Sequence, residues 1–300
     1  MFRSSPNRLA WLALSVVCFV WGTTFLGIRI GVHYIPPLLF TTTRLVAAGI
    51  LFLLVYSRRI RWRLITGKIL AYHFMLGAII FSIGSGLVGM AEVTISSGLA
   101  AVIASMIPVW VICLNYLFNR DEKPTPMLIA GIIIGLTGIF LIYGEHAGFS
   151  LSGHLTAVAL MFLAGIGWAG GNILLKRRGA VAEPTGAGGF QLLFGGLALM
   201  PFSYMTENWS SVSYGNEVVL VLTYLILIGS VLTYFCYLYA LKHLPVTVVS
   251  VYAYVNPVVA MFVGWLLAGE TLNLRIIIGM AVTLGGVFMV SNGIRPAANK

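Results

Sequence analysis

Few side chains in this sequence could do chemistry, and those that could lie inside apolar runs. Arg44 sits about six residues into an apolar segment at 38–56, and Glu92 ends another at 69–91. An ionisable group in such a segment is costly, about 2.5–3.5 kcal/mol for an arginine at its centre and less near an end. At similar depth on neighbouring segments, the two read as an ion pair beside an opening, a substrate and proton site, or a structural tie with a snorkelling side chain. Glu92 and His33 are the candidates for ion coupling. Asn256 lies in a third apolar run, where its amide needs a partner from the protein or from a ligand. It shares a helix face with Tyr252, while Ser250, Tyr254 and Pro257 share another. Tyr234 and Tyr237 are three apart and could face one cavity, although aromatic stripes of this kind more often serve packing.

Pro108 and Pro257 fall near the middle of their segments. Each removes a backbone donor and frees the carbonyl four residues earlier, on Ala104 and Ala253. Interrupted helices at matching positions of two halves point to a binding site, with a harmless kink as the alternative. Trp21 and Trp168 lie inside segments, away from the interfacial belt where Trp gathers. They could line a pore above and below a central site, or simply pack.

Other chemistries find no footing. Ser, His and Asp are too scattered for a triad, and Asp121 is the sole aspartate. No GxxxxGK[ST] loop is present, and the paired glycines lack the βαβ context of a dinucleotide fingerprint. Cys18, Cys113 and Cys236 lie in apolar runs without a CxxC or Cys/His cluster, so neither a disulfide framework nor a metal site is expected. No catalytic residue and no cofactor is expected either. A membrane enzyme would need paired carboxylates or a His/Asp cluster at one interface, and neither is there.

The elements that must position these groups follow from composition. Of 300 residues, 59% are hydrophobic and 9% charged. A soluble core needs far less apolar surface, so the second solvent is lipid. Ten apolar segments, at 9–28, 38–56, 69–91, 94–117, 127–143, 154–175, 187–205, 217–240, 246–268 and 274–291, predict ten helices, because backbone groups in lipid must be satisfied within the segment. The first run has no small-residue cleavage site after it and reads as a retained span. The net charge of +10 lies in the connections, so it reports topology rather than nucleic-acid binding. Fifteen Lys and Arg fall on one side, and two, Arg29 and Arg275, on the other. That bias places both termini in the cytoplasm.

Residues 129–142 and 277–290 are copies of one segment, identical at five of fourteen positions. Similar shifts pair Trp21 with Trp168, Arg44 with Gln191, Pro108 with Pro257 and Glu122 with Glu270. The chain is therefore expected to hold two repeats, residues 1–148 and 149–300. Five spans per repeat is an odd number, so the second repeat enters from the opposite side. Such an inverted duplication supplies two pseudo-equivalent states and hence alternating access.

The stretches VWGTTFLGIRIG (20–31), RLVAAGILF (44–52), MAEVTISSGLAAVI (90–103) and SVYAYVNPVVAMFVGWLLAGETL (250–272), with the glycine-rich last span, resemble the EamA-type members of the drug/metabolite transporter superfamily. The resemblance covers nearly the whole chain. It implies export of small metabolites, amino acids or toxic compounds across a bacterial inner membrane, through a cavity between the repeats. The family's WG, proline and GE positions fall on Trp21-Gly22, on Pro108 and Pro257, and on Gly269-Glu270. Trp168-Ala169 and Asp121-Glu122 depart from the pattern in the other copies.

The expectation is a secondary transporter for small amphipathic metabolites, with an uncoupled facilitator or exchanger as the alternative. Its substrate-binding candidates are Trp21, Arg44, Pro108, Trp168, Tyr234, Tyr252, Tyr254, Asn256 and Pro257. Its partners are a small-molecule substrate and the lipid bilayer, with no nucleic acid, in a monomer or homodimer.

Overall fold

The computed structural model describes residues 6–60, 62–119, 125–143, 151–177, 184–244, 249 and 252–292. Asp121, Glu122 and Ser250 lie outside them. The regular structure described is helical: α1 Pro6–Tyr34, α2 Pro37–Tyr56, α3 Gly67–Glu92, α4 Ser97–Ala104 continuing as Ile107–Asn119, α5 Pro126–Tyr143, α6 Leu151–Arg177, α7 Pro184–Thr206, α8 Asn216–His243, α9 Tyr252–Ala268 and α10 Leu274–Asn292. Six of these, α1 to α4, α6 and α8, contain apolar spans of at least 18 residues. The protein is an all-α integral membrane protein whose ten transmembrane helices form two inverted five-helix repeats.

The helix ends have local causes. Pro37 opens α2 at a position where no donor is lost. Thr66 and Ser96 cap α3 and α4 with their hydroxyl oxygens. Acids from the second repeat complete two caps in the first. Glu207 accepts from the Leu38 and Leu39 amides at 2.7 and 2.8 Å. Glu270 accepts from the Ser97 amide and hydroxyl at 2.8 and 2.7 Å. Gly269, at φ 64°, turns the chain after α9 in a way only glycine takes readily, and this delivers the Glu270 carboxylate to the positive end of α4.

The inversion shows in how equivalent helices touch. α5 packs on α10 with their backbones in contact. A methyl group at Gly131 would lie 2.7 Å from the Gly286 carbonyl oxygen, and one at Gly279 would lie 2.9 Å from the Gly138 carbonyl oxygen. Gly131 is equivalent to Gly279, and Gly138 to Gly286, so the two contacts are one contact seen from either repeat. α2 and α7 repeat the arrangement. A methyl at Gly49 would lie 2.6 Å from the Leu193 Cα, and one at Gly196 2.9 Å from the Val46 amide nitrogen. In both pairs the contacts climb one helix as they descend the other. Equivalent helices are therefore antiparallel about a pseudo-two-fold axis. Small residues allow this approach, and lipid offers no hydrophobic force to replace it.

The other helices surround the centre. α1 packs on α8 and α9, and α6 packs on their counterparts α3 and α4. α3 and α8 each loosen into a π-helical stretch, Ala78–Gly86 and Leu225–Leu232, at matching places in the two repeats. The first helix departs from expectation. It runs past residue 28 to Tyr34, so Arg29 belongs to α1 rather than to a connection. The Arg29 guanidinium donates to the Glu92 carbonyl, and that bond compensates the charge where hydropathy alone ended the span.

Candidate substrate site

The end of the bundle holding Pro6 and Asn292 is called proximal here, and the opposite end distal. Among the described residues, eight helices, α1 to α4 and α6 to α9, line a cavity of about 130 Å³ on the pseudo-two-fold axis. Its wall contains equivalent residues from both repeats: Trp21 with Trp168, Leu45 with Leu192, and Ala104 with Ala253. The two π-helical stretches contribute Gly84 and Ser85 on one side and Gly229 and Ser230 on the other. The widened turns bring small and hydroxyl-bearing residues to the centre, as π-helical insertions often do at functional sites.

An aromatic layer closes the proximal side. Trp21 meets Trp168 and Tyr252 edge to face at 5.3 and 5.2 Å, and Tyr237 at a tilt at 5.0 Å. Hydrogen bonds fix the rings. Trp168 Nε1 donates to the Tyr252 hydroxyl at 3.1 Å, and Tyr237 donates to Asn172 Oδ1 at 2.9 Å. Trp21 and Trp168 therefore do not stand above and below a site. Each lies near the middle of its helix, and a two-fold axis through the midplane brings such positions together. Gly22 matters for the same layer, because a methyl there would lie 2.6 Å from the Val259 Cβ. The WG pair seats α1 against α9 so that the indole can reach the axis.

The structure brings Trp21, Arg44, Trp168, Tyr234, Tyr252 and Asn256 onto the cavity wall and leaves other predicted residues off it. Pro108 and Pro257 do not line it, but Ala104 and Ala253, four residues before them, do. Pro108 does interrupt its helix, with α4 broken at Ser105 and Met106. Pro257 lies within an unbroken α9, where the amide it lacks leaves the Ala253 carbonyl without its usual helical donor. Tyr254 points away, its hydroxyl donating to the Val287 carbonyl of α10 at 3.2 Å. The helical turn that aims Tyr252 and Asn256 inward sends Tyr254 to the other face. With its amide nitrogen turned to the carbonyls, Asn256 donates to Cys18 O at 2.8 Å and Tyr252 O at 3.1 Å, tying α9 to α1.

The charged groups divide sharply. His33 is exposed on the last turn of α1, off the cavity. Glu92 is fully buried, and neither carboxylate oxygen has a hydrogen-bond partner. Arg29, Arg44 and Glu270 are its electrostatic neighbours. Arg44 is 7% exposed and lines the cavity, and its Nε is buried without a partner. Arg44 and Glu92 thus feel each other without forming a hydrogen-bonded pair. The equivalent of Arg44 is Gln191, wholly buried, which accepts the Tyr234 hydroxyl and faces His73 Nδ1 at 3.4 Å.

Sequence reasoning missed Thr24, Ser85, Ser105, Gly229 and Ser230 on the wall. Glycine and serine at matching depth in spans 3 and 8 was the available signal.

Comparison with known proteins agrees with this architecture. The EamA-like transporter family matches residues 8–144 and again 155–292. The protein named "Uncharacterized inner membrane transporter YedA" of Escherichia coli strain K12 is 32% identical over 284 residues, covering 94% of this chain and 90% of its own. "Uncharacterized transporter YoaV" of Bacillus subtilis strain 168 is 25% identical, covering 93% and 95% respectively. A solved crystal structure superposes with a TM-score of 0.65 at 18% identity over 93% of this chain and 95% of its own, a likeness of fold alone. Two family matches, one over each half, together with a relative of this identity along almost the whole length, place the chain in the EamA-like transporter family, as a multi-pass membrane transporter.

Proposed function

We propose that this protein is a secondary transporter of the bacterial inner membrane that exports small amphipathic metabolites, such as amino acids or their toxic analogues, by alternating access. The observation that carries this reading is the cavity on the pseudo-two-fold axis, walled by equivalent residues of both repeats and closed on one side by the aromatic layer. It is mostly apolar with a few convergent polar groups, the usual make-up of a small-molecule site. Repeats spanning 1–148 and 149–300 give the fold two ways to close related by the pseudo-two-fold axis, one for each side of the membrane.

The Lys and Arg bias puts the proximal end in the cytoplasm. The aromatic layer is then the inner seal of the cavity. Glu92, a buried carboxyl beside Arg44, is the group we assign to proton coupling, while His33 lies too far out for that role. A growth screen of an overexpressing strain against amino acids and toxic analogues identifies the substrate as the compound whose tolerated dose rises. Efflux of that compound then collapses with a proton uncoupler. Efflux that persists unchanged converts the reading to uncoupled facilitation, and a strain with no altered tolerance to any compound removes the support for export.

A further inference from the structure

We propose that Arg44 forms an anion subsite in the central cavity, and that the transported compound is a small monocarboxylate with an apolar body rather than a zwitterion. This rests on the transporter reading and narrows its substrate class, from amphipathic metabolites that include amino acids to acids that carry no ammonium group. Among the described residues, Arg44 is the only charged one on the cavity wall. It is 7% exposed, its Nε is buried and unpartnered, and Glu92 does not engage it by hydrogen bonding. A guanidinium presents a rigid fork of donors whose edge matches the two oxygens of a carboxylate, so an unused fork beside a cavity is a receptor for that group.

Most other polar groups on the wall are already engaged. Thr24 donates to the Trp21 carbonyl at 2.7 Å, and Ser105 to the Val102 carbonyl at 2.6 Å. Tyr234 donates to Gln191, and the Tyr252 hydroxyl accepts from Trp168. The Asn256 amide serves the Cys18 and Tyr252 carbonyls. Ser85 and Ser230 remain and are neutral. Among the described residues no acidic side chain lines the cavity, so an ammonium group entering with the carboxylate meets no carboxylate of its own there.

Nor does the fold require a charge at this place. The equivalent position in the second repeat is the neutral Gln191, whose amide meets Tyr234 and His73. Size sets the rest. An apolar cavity of about 150 Å³ holds one benzene ring, so a cavity of about 130 Å³ limits the apolar body to a single ring or a short branched chain at most.

The test uses the full-length protein purified in detergent, with quenching of the cavity tryptophans Trp21 and Trp168 as the binding signal. Benzoate and phenylacetate are compared with benzylamine, phenylalanine and benzyl alcohol. The acids are expected to bind about tenfold or more tightly than the amine and the amino acid. Arg44→Gln should remove that preference, so that benzoate binds no better than benzyl alcohol, and Arg44→Lys should keep part of it. Acids that bind no better than phenylalanine or benzylamine overturn the subsite, and this comparison needs only the unaltered protein should Arg44→Gln fail to fold. Acid binding indifferent to Arg44→Gln overturns it as well. Proteoliposome flux separates the two readings: acids that bind through Arg44 but never cross leave the subsite and remove the transporter, whereas flux without acid preference does the reverse.

Discussion

Arg44 and Gln191 occupy the same place in the two repeats, yet they live in different chemistry. Gln191 is sealed among Tyr234 and His73, wholly buried, with its amide engaged on both sides. Arg44 stands on the cavity wall with donors to spare. An inverted duplication begins with two equal copies of each position. Here one copy has become part of the packing between α7, α8 and α3, and the other has been left open toward the axis. In a symmetric scaffold, the site is to be sought where the symmetry of the side chains fails while that of the backbone holds.

Exchanging the two residues gives the sharpest contrast. Gln191→Arg buries a charge in a wholly buried position, at a cost of up to about 2.5–3.5 kcal/mol, the figure for the centre of a span. Its level in the membrane and its melting temperature in detergent should both fall steeply. A normal melt for this variant would mean that water reaches position 191 and that the two positions are not so different. Arg44→Gln should do the opposite. It removes an unpartnered donor, so the protein melts at the same temperature or higher, while export of the screened compound drops about tenfold or more. Full export by this variant at normal protein level would place Arg44 among structural residues.

Two smaller effects refine the picture. Tyr234→Phe leaves the Gln191 carbonyl oxygen without its donor and should cost about 1 kcal/mol, seen as a modest loss in melting temperature without change of substrate. Glu270→Gln weakens a charge-assisted cap at the start of α4 and should cost about 0.5–1 kcal/mol, a difference that an unaltered thermal melt would refute.

Much of this was legible in the sequence. Apolar runs of spanning length gave ten helices, because in lipid the backbone has no other choice. Glycines recur at equivalent positions on the last span of each half, and the structure uses them in the antiparallel contact of α5 with α10. Trp21, Arg44, Tyr252 and Asn256 were recognisable as unusual residues for their depth, and the structure does place them on one cavity.

What escaped depends on how helices are rotated and on partners far along the chain. Tyr254 sits two residues from both Tyr252 and Asn256, and only the setting of α9 against α1 and α10 decides which face looks inward. Glu270 reaches α4 across 173 residues, and Glu207 reaches α2 across 169. The π-helical stretches leave no mark in hydropathy, because they alter register without altering composition. Arg29 was read as a loop residue because the carbonyl that receives it belongs to another helix.

The central claim is that the compound moves through the cavity on the pseudo-two-fold axis. Ala104 lines that cavity at the break in α4, and Ala104→Cys in a background lacking Cys18, Cys113 and Cys236 gives one thiol there. Alkylation of that thiol with a small maleimide in proteoliposomes, followed by flux of the screened compound, is the most direct measurement. The account predicts that alkylation stops flux and that the compound slows alkylation. Complete labelling with undiminished flux would contradict it.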